Sequence, residues 1–388
     1  MATRSVAIIG AGIAGLTAAL CLARRGIHTD IFEQSELLQE VGAGLQLSPN
    51  ATSILDRLGI LRTLESCWTE PESIMLASGA TLRPLASVPV GGVARSRWGA
   101  PYGVLHRATL QKTLLEAVGR QPLCSLHLGS RIEPEAATAS GSSRGSKPML
   151  TVAADGVWST HRKSVPGSAP ARFTGNVAWR FLVPFDRAPS FLARRSVSAF
   201  VGPRAHLIAY PLNDAKAFNL VALHQGNALE QSWSRPVGAG GNVSLLRAFE
   251  GWHADILDVL GGASSPMIWP LFGCADGRWY DDDALLLIGD AAHATTPFAA
   301  QGAAMAIEDA WELGSALAGS SEPKSALRRF EQHRRERTAR VRRRAAFNRF
   351  VYHARGPIAF GRDFALAMRK PAALAADFDW LYGYRSPD

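Results

Sequence analysis

Val6-Ala7-Ile8-Ile9-Gly10-Ala11-Gly12-Ile13-Ala14-Gly15 decides the fold. The apolar run Val6 to Ile9 ends in a Gly-x-Gly-x-x-Gly turn that opens a helix-forming segment, Leu16 to Arg25, and a second strand-like run, Thr29 to Glu33, follows. Strand, glycine turn, helix and strand in that order predict the βαβ opening of a doubly wound sheet. Gly10 permits the tight turn, Gly12 lets the backbone approach a pyrophosphate, and Gly15 packs helix on strand. The helix N-terminus turns its partial positive charge toward the phosphates. Glu33 ends the next strand 18 residues after Gly15, at the right distance to accept hydrogen bonds from adenosine ribose hydroxyls. A plain glycine turn is the competing explanation, and the motif alone does not separate FAD from NAD.

Working outward, the 388 residues leave room for two or three subdomains and a buried cofactor. With 47% apolar and 19% charged residues the composition is globular, and no run approaches the roughly 18 apolar residues of a spanning helix. Met1-Ala2-Thr3-Arg4 leads straight into a strand, leaving no room for a signal peptide, so a cytoplasmic location is expected. Cys21, Cys67, Cys124 and Cys274 form no C-x-x-C pair; no metal site or disulfide framework is expected, and all four are read as buried thiols. The net charge of +9 is concentrated between Arg328 and Arg344, where nine arginines face only Glu331 and Glu336. Such a helix reads as a solvated or salt-bridged surface. A polyanion or membrane patch is the alternative, and stacking aromatics for a nucleic acid are lacking.

No period of 20 to 50 residues repeats. Helices are predicted over Asn50 to Leu58 and Arg107 to Val118, with short strands between Ile74 and Tyr102. Val177 to Val183, Ser196 to Val201, His206 to Tyr210 and Asn219 to Leu223 predict a separate sheet, and Leu285 to Ile288 a short buried strand. From Gly302 the chain reads as helical almost to its end, with breaks at Pro323, Pro357 and Pro371. Glu133 to Lys147, rich in Ala, Ser and Gly, is expected to be a mobile loop. Gly238-Ala239-Gly240-Gly241 follows no buried strand and is not a second dinucleotide fingerprint.

Two later motifs sharpen the cofactor choice: Asp155-Gly156-x-x-Ser159-x-x-Arg162 after the apolar Leu150 to Ala153, and Gly289-Asp290-Ala291-Ala292-His293 at the end of a buried strand. With the glycine turn, and in this order, they resemble the single-component flavoprotein aromatic hydroxylases, a family with the p-hydroxybenzoate hydroxylase fold. Gly42 to Ala51, His106-Arg107-Ala108-Thr109-Leu110, Pro297 to Ala304 and Trp380-Leu381-Tyr382-Gly383-Tyr384 are similar to its salicylate hydroxylase and 6-hydroxynicotinate monooxygenase branch. The resemblance spans nearly the whole chain. It implies an α/β fold: a Rossmann-type FAD domain from residues 1–72, 101–165 and 276–320, an inserted mixed or antiparallel β substrate domain from 73–100 and 166–275, and a helical region over 321–388.

By resemblance, FAD contacts fall on Gly10, Gly12, Ala14, Gly15, Glu33, Gln34, Gly44, Leu45, Arg107, Asp155, Asp290, Gly302, Ala303 and Ala304. NADH or NADPH would reduce FAD transiently, O2 would give a flavin C4a-hydroperoxide, and its distal oxygen would pass to a small phenolic or N-heteroaromatic ring. The residues after Asp290 have their own logic. Pro297 stops regular structure, Gly302 lets backbone approach a planar ring, and a helix N-terminus is a fitting counter-charge for a reduced flavin. Close packing of small residues between helices is the alternative for Gln301 to Ala304.

On the substrate side His206 and Tyr210 lie four apart, so a strand would put both on one face. A histidine could take a phenolic proton and enrich the ring in electrons, and relatives of the 6-hydroxynicotinate type carry such a pair. Both residues could equally be satisfied core groups. Gln46, Arg180 and Gln301 are further candidates for substrate contact, whereas His293 reads as structural. Rival functions are a halogenase or reductase of the same fold, an FAD-dependent sensor, or a basic binding protein; the tryptophan-rich G-W-x-W-x-I-P stretch of halogenases is absent. A monomer or homodimer is expected, with no nucleic-acid partner and no integral membrane segment.

Overall fold

The computed structural model describes residues 4–38, 44–136, 147–227, 235–236, 242–264, 266–318 and 320–387. Five parallel strands form the first sheet, in the order Leu285–Leu287, Leu150–Ala153, Ser5–Ile9, His28–Phe32, Cys124–His127. Ser5–Ile9 lies at its centre and every residue of it is buried, as a strand covered on both faces requires. The helices Ile13–Ala23, Arg107–Gly119 and Gly302–Ala318 cover this sheet. Leu16, Leu22, Ile307 and Leu313 in them lose all or nearly all solvent contact, each contributing about 1.5 to 3 kcal/mol. This is the Rossmann-type arrangement expected of the opening motif.

The second sheet has eight strands, in the order Arg235–Pro236, Met267–Cys274, Ala171–Pro184, Ala217–Gln225, Ala205–Leu212, Ser196–Gly202, Ser73–Ser78, Pro84–Pro89. It is antiparallel apart from the parallel pair Ser196–Gly202 with Ser73–Ser78. One face packs against the helices Asn242–Ala248 and Ala254–Gly261 around Trp179, Phe200, Phe249 and Leu260. The other faces the parallel sheet and its helices. A ribbon of Gly44–Leu47 paired with Gly103–His106 lies between the two.

The C-terminal part is helical over Pro323–Tyr352, Pro357–Ala367, Pro371–Ala376 and Asp379–Tyr382, and Pro323, Pro357 and Pro371 each start a helix. Proline suits that position, because its missing N–H would be unpaired there anyway.

Several expectations need correction. Gly91–Trp98 is a helix, where short strands were expected: Ala94 and Trp98, four apart, are its buried residues, and Gly99 at φ +69° closes it. The helices Asn242–Ala248 and Ala254–Gly261 were not anticipated. Cys21 and Cys274 are buried, but Cys67 and Cys124 are only half-buried. The arginine-rich segment is not simply a solvated face. Arg328, Arg335 and Arg342 pair with Asp282 and Asp276 at the surface, while Arg334 and Arg337 are buried among acids. Most of Glu133 to Lys147, and Gly238 to Gly241, lie outside the described residues. Among the described residues no helix is long and apolar enough to cross a membrane.

Candidate active site

The glycine turn is sterically determined. Gly10 sits at φ +103°, and a Cβ there would lie 2.6 Å from the Ala154 carbonyl oxygen; a Cβ on Gly15 would lie 1.9 Å from the Gly10 oxygen. Gly12 differs: at φ −76° a side chain is allowed, and a Cβ would meet nothing within 4 Å. The space before Gly12 is open, as a phosphate-binding turn needs. Glu33 holds this turn through Oε2, which accepts from the Ala11 N–H at 2.9 Å, while Oε1 accepts from Ser35 at 3.0 Å. A carboxylate has about four acceptor sites, so it can still take a ribose hydroxyl. Gln34 is exposed beside it. Gln111 donates to the Ala11 oxygen at 3.1 Å, which docks the helix opened by Arg107 onto the turn.

Two further loops converge on the same point. A Cβ on Gly289 would lie 3.0 Å from that of Ala14 and 3.4 Å from that of Ala306, so the Asp290 turn rests between the first helix and the helix Gly302–Ala318. Arg162 ties the Asp155 loop to this turn, donating to the carbonyls of Ala291 at 2.7 Å, Asp290 at 2.9 Å and Val157 at 2.9 Å. Asp155 Oδ2 bonds His161 Nδ1 at 2.8 Å, whereas Oδ1 is buried with no partner. A buried acceptor without a partner calls for a ligand or water donor. Asp290 itself is exposed. Gly302 and Ala303 open a helix of 17 residues after Ala300 at φ +51°, with Ala304 buried behind them. Open space at Gly12, the orphaned Asp155 oxygen and this helix N-terminus together fit a dinucleotide carrying a flavin.

The cross-strand register sets which residues of the eight-stranded sheet share a face. His206 stands opposite Leu223 and Ala178, Ile208 opposite Val221 and Arg180, and Tyr210 opposite Asn219 and Leu182. Residues paired in this way share a face, so His206, Tyr210 and Arg180 all look toward the parallel-sheet domain. His206 and Tyr210 are separated by roughly 13 Å along the strand, with Arg180 level with the midpoint.

Tyr210 and Asn219 pack against the backbone of Gly44, where a Cβ would lie 2.7 Å from the Tyr210 ring, and Gly44 N–H donates to Asn219 Oδ1 at 2.9 Å. Leu45 is half-buried on the same ribbon. Burial raises the Tyr210 phenol pKa, with Arg180 opposing. The Arg180 guanidinium lies over Trp269 at 5.0 Å; its Nε is buried without a partner, and no carboxylate among the described residues pairs with it. Burial lowers its pKa, Tyr210 opposing and Arg107 adding to the effect.

His206 is 2% exposed and packs on Phe298, Tyr352 and His353, with Nδ1 2.9 Å from His353 Nε2. Nε2 has no hydrogen-bond partner among the described residues. Burial, and then His353, hold its pKa well below the usual imidazole range. Gln46 accepts from the Tyr102 hydroxyl at 2.6 Å. Gln301 lies away from this face: it is buried, donating to Ser48 Oγ at 2.9 Å and accepting from Asn50 at 3.1 Å. His293 is buried and bonded to Asp309 at 2.5 Å. His353, Arg162 and Asp309 carry much of this architecture without having been singled out for it. For Arg162 a signal existed, since it belongs to the Asp155 motif; for His353 none did, 147 residues from His206.

The sequence profile of the family described as FAD binding domain matches residues 3–217 and 272–347. The chain belongs to that family. It is 34% identical to a 3-amino-4-hydroxybenzoate 2-monooxygenase of Streptomyces platensis, over 98% of this chain and 96% of the relative. To 3-hydroxybenzoate 6-hydroxylase 1 of Aquipseudomonas alcaligenes it is 33% identical, over 98% and 97%. The crystal structure of Klebsiella pneumoniae HpxO with FAD and uric acid superposes with a TM-score of 0.82 at 23% identity, covering 98% of this chain and 96% of that one. This family member is an FAD-dependent aromatic monooxygenase, with FAD as cofactor, NADH or NADPH as reductant and O2 as co-substrate. FAD supplies the oxygen-activating chemistry; the chain binds, orients and shields.

Proposed function

We propose that this enzyme hydroxylates a phenolic ring bearing a carboxylate, held between the eight-stranded sheet and the flavin. The observation that carries this reading is Arg180: a half-buried guanidinium whose Nε is buried without a partner, with no acidic partner among the described residues, on the face it shares with His206 and Tyr210. A half-buried guanidinium with a buried unsatisfied N–H is costly to leave unpaired, and a substrate carboxylate would neutralise it. His206, with Nε2 uncommitted, is the base that takes the phenolic proton, and Tyr210 holds the far end of the ring. The hydroxybenzoate monooxygenases at 33% and 34% identity support this substrate class. Gln46 borders the site, whereas Gln301 acts from behind as a support for Ser48 and Asn50.

For the cofactor, Gly10, Gly12, Ala14 and Gly15 receive the pyrophosphate, and Glu33 and Gln34 the adenosine ribose. Gly44, Leu45 and Arg107 flank the ring system, Asp155 and Asp290 hold the phosphate and ribityl portions, and the N–H groups of Gly302, Ala303 and Ala304 face the flavin. The test compares Arg180→Met with the parent enzyme on 3-hydroxybenzoate and on the uncharged phenol resorcinol. A rise in KM confined to the carboxylate supports the assignment. Equal effects on both ligands, or none, would reject Arg180 as the carboxylate anchor.

A further inference from the structure

The helix Pro357–Ala367 is turned inside out. Phe360 and Phe364, with Met368 at its C-cap, recur at the i, i+4, i+8 spacing of one helical stripe, yet they are 77%, 61% and 71% exposed. Its charged residues face the protein instead. The Arg362 and Asp363 side chains are only 10% and 26% exposed; they pair at 2.8 Å, and Arg362 donates to the Val351 oxygen at 3.0 Å. No residue of this helix is buried, although it packs beside the strand Pro84–Pro89. The end of the preceding helix extends the same surface: Phe347 and Phe350 are exposed, and Phe350 and Ile358 line one cavity where the two helices meet. Of the nine large apolar residues exposed among the described residues, six lie between Phe347 and Met368, which makes a patch of what is elsewhere single scattered side chains.

We propose that this face docks on an anionic lipid surface, with the helix Pro357–Ala367 lying along the headgroup boundary and Phe360, Phe364 and Met368 inserted among the acyl chains. Charge decides the occupant. Residues 340–370 carry nine arginines and lysines against Asp363 alone, an excess of eight in a chain whose net charge is +9. Arg343, one turn before Phe347, is exposed, as are Arg355 and Lys370, and none of the three pairs with an acid among the described residues. They are free to meet headgroup phosphates. A basic helix with an apolar stripe binds at such a boundary by inserting the stripe and by attraction to anionic lipid, without spanning the bilayer. A second copy of the chain fits this face poorly. A two-fold contact sets a patch against itself, which here brings both sets of cations together with only Asp363 to oppose them, and Asp363 is already engaged by Arg362 and Arg83.

The experiment measures flotation of the FAD-loaded full chain with vesicles of phosphatidylcholine alone and of phosphatidylcholine mixed equally with phosphatidylglycerol, at physiological and at high salt. It compares the parent with the double variants Phe360→Ser/Phe364→Ser and Arg343→Glu/Lys370→Glu. All four side chains are exposed, so both variants should keep the parent's melting temperature and its rate of NAD(P)H oxidation. The expected result is binding to the mixed vesicles at least about tenfold tighter than to phosphatidylcholine, weakened by salt, and reduced about tenfold or more in each variant. No binding to the mixed vesicles, equal binding to both kinds, or failure of either variant to weaken it would overturn the proposal. Sedimentation equilibrium without lipid tests the second copy: a parent dimer that Phe360→Ser/Phe364→Ser splits into monomers would make this face a subunit interface and overturn the lipid assignment.

Discussion

Arg334 and Asp309 meet at 2.8 Å with neither side chain exposed to solvent, and the same guanidinium bonds Glu308 at 2.7 Å and Glu312 at 3.0 Å. The other oxygen of Asp309 accepts from the Gly289 N–H at 2.9 Å and bonds His293 at 2.5 Å. The charge cluster between the helices Gly302–Ala318 and Pro323–Tyr352 thus fixes the turn that presents Asp290. Glu308 joins in from the other side, taking Asn50 at 2.6 Å and Arg337 at 2.9 Å. Arg337 in turn donates to the Trp380 and Leu381 carbonyls and clamps the C-terminal segment.

Removing the cation leaves three buried carboxylates facing one another. Arg334→Met is expected to cost about 3 to 5 kcal/mol, read as a shift of the urea unfolding midpoint. A loss below about 1 kcal/mol would mean that the cluster is far more solvated than its geometry indicates.

Asp309 also gives stability a pH dependence. Burial alone would raise its pKa, but His293 and Arg334 outweigh burial and hold it at about 2, below the usual 3.8. A carboxylate depressed on folding contributes above its unfolded pKa and loses that contribution as pH falls through the folded value. About 2 kcal/mol should therefore disappear between about pH 4 and pH 2. In Asp309→Asn the slope of unfolding free energy against pH should shrink in that window; an unaltered slope would remove Asp309 from the acid response.

The glycine turn separates folding from cofactor binding. Gly15→Ala collides with the Gly10 oxygen and should yield little folded protein. Gly12→Val meets open space at an ordinary φ, so the apoprotein should melt within a degree or two of the parent. Its FAD dissociation constant, measured by quenching of flavin fluorescence, should rise by about tenfold or more, equivalent to about 1.4 kcal/mol. Equal affinity would place the pyrophosphate elsewhere.

Arg162→Lys tests the tie between the Asp155 loop and the Asp290 turn. A lysine cannot span the Ala291, Asp290 and Val157 carbonyls in the planar fork that arginine offers. The expected result is a loss of about 2 to 3 kcal/mol and faster FAD release on dilution, with KM for the aromatic ligand little changed.

What could be read from the sequence was local. The glycine turn follows from backbone sterics, and the shared face of His206 and Tyr210 from strand alternation. The three prolines mark breaks in the helical C-terminal stretch, and the structure starts a new helix at each. What could not be read depends on partners distant in the chain. Arg334 belongs to a helix whose charge pattern reads as solvated, and only packing against Glu308, Asp309 and Glu312 on another helix buries it. His353 ends the same helix with no motif around it. Gly91-Gly92 reads as a strand breaker, yet the i, i+4 burial of Ala94 and Trp98 makes that segment helical. Gln301 sits in a stretch that resembles the flavin-facing one of relatives, but its amide turns inward to Ser48.

Ring hydroxylation is tested by following NADH and NADPH oxidation by the FAD-loaded protein across hydroxybenzoates, aminohydroxybenzoates and hydroxypyridines, with peroxide and aromatic product quantified together. At least one carboxylated phenol should raise consumption severalfold above the idle rate and yield hydroxylated product equal to the nicotinamide oxidised less the peroxide formed. Consumption that no aromatic compound stimulates, or that ends entirely in peroxide, would contradict ring hydroxylation of this substrate class.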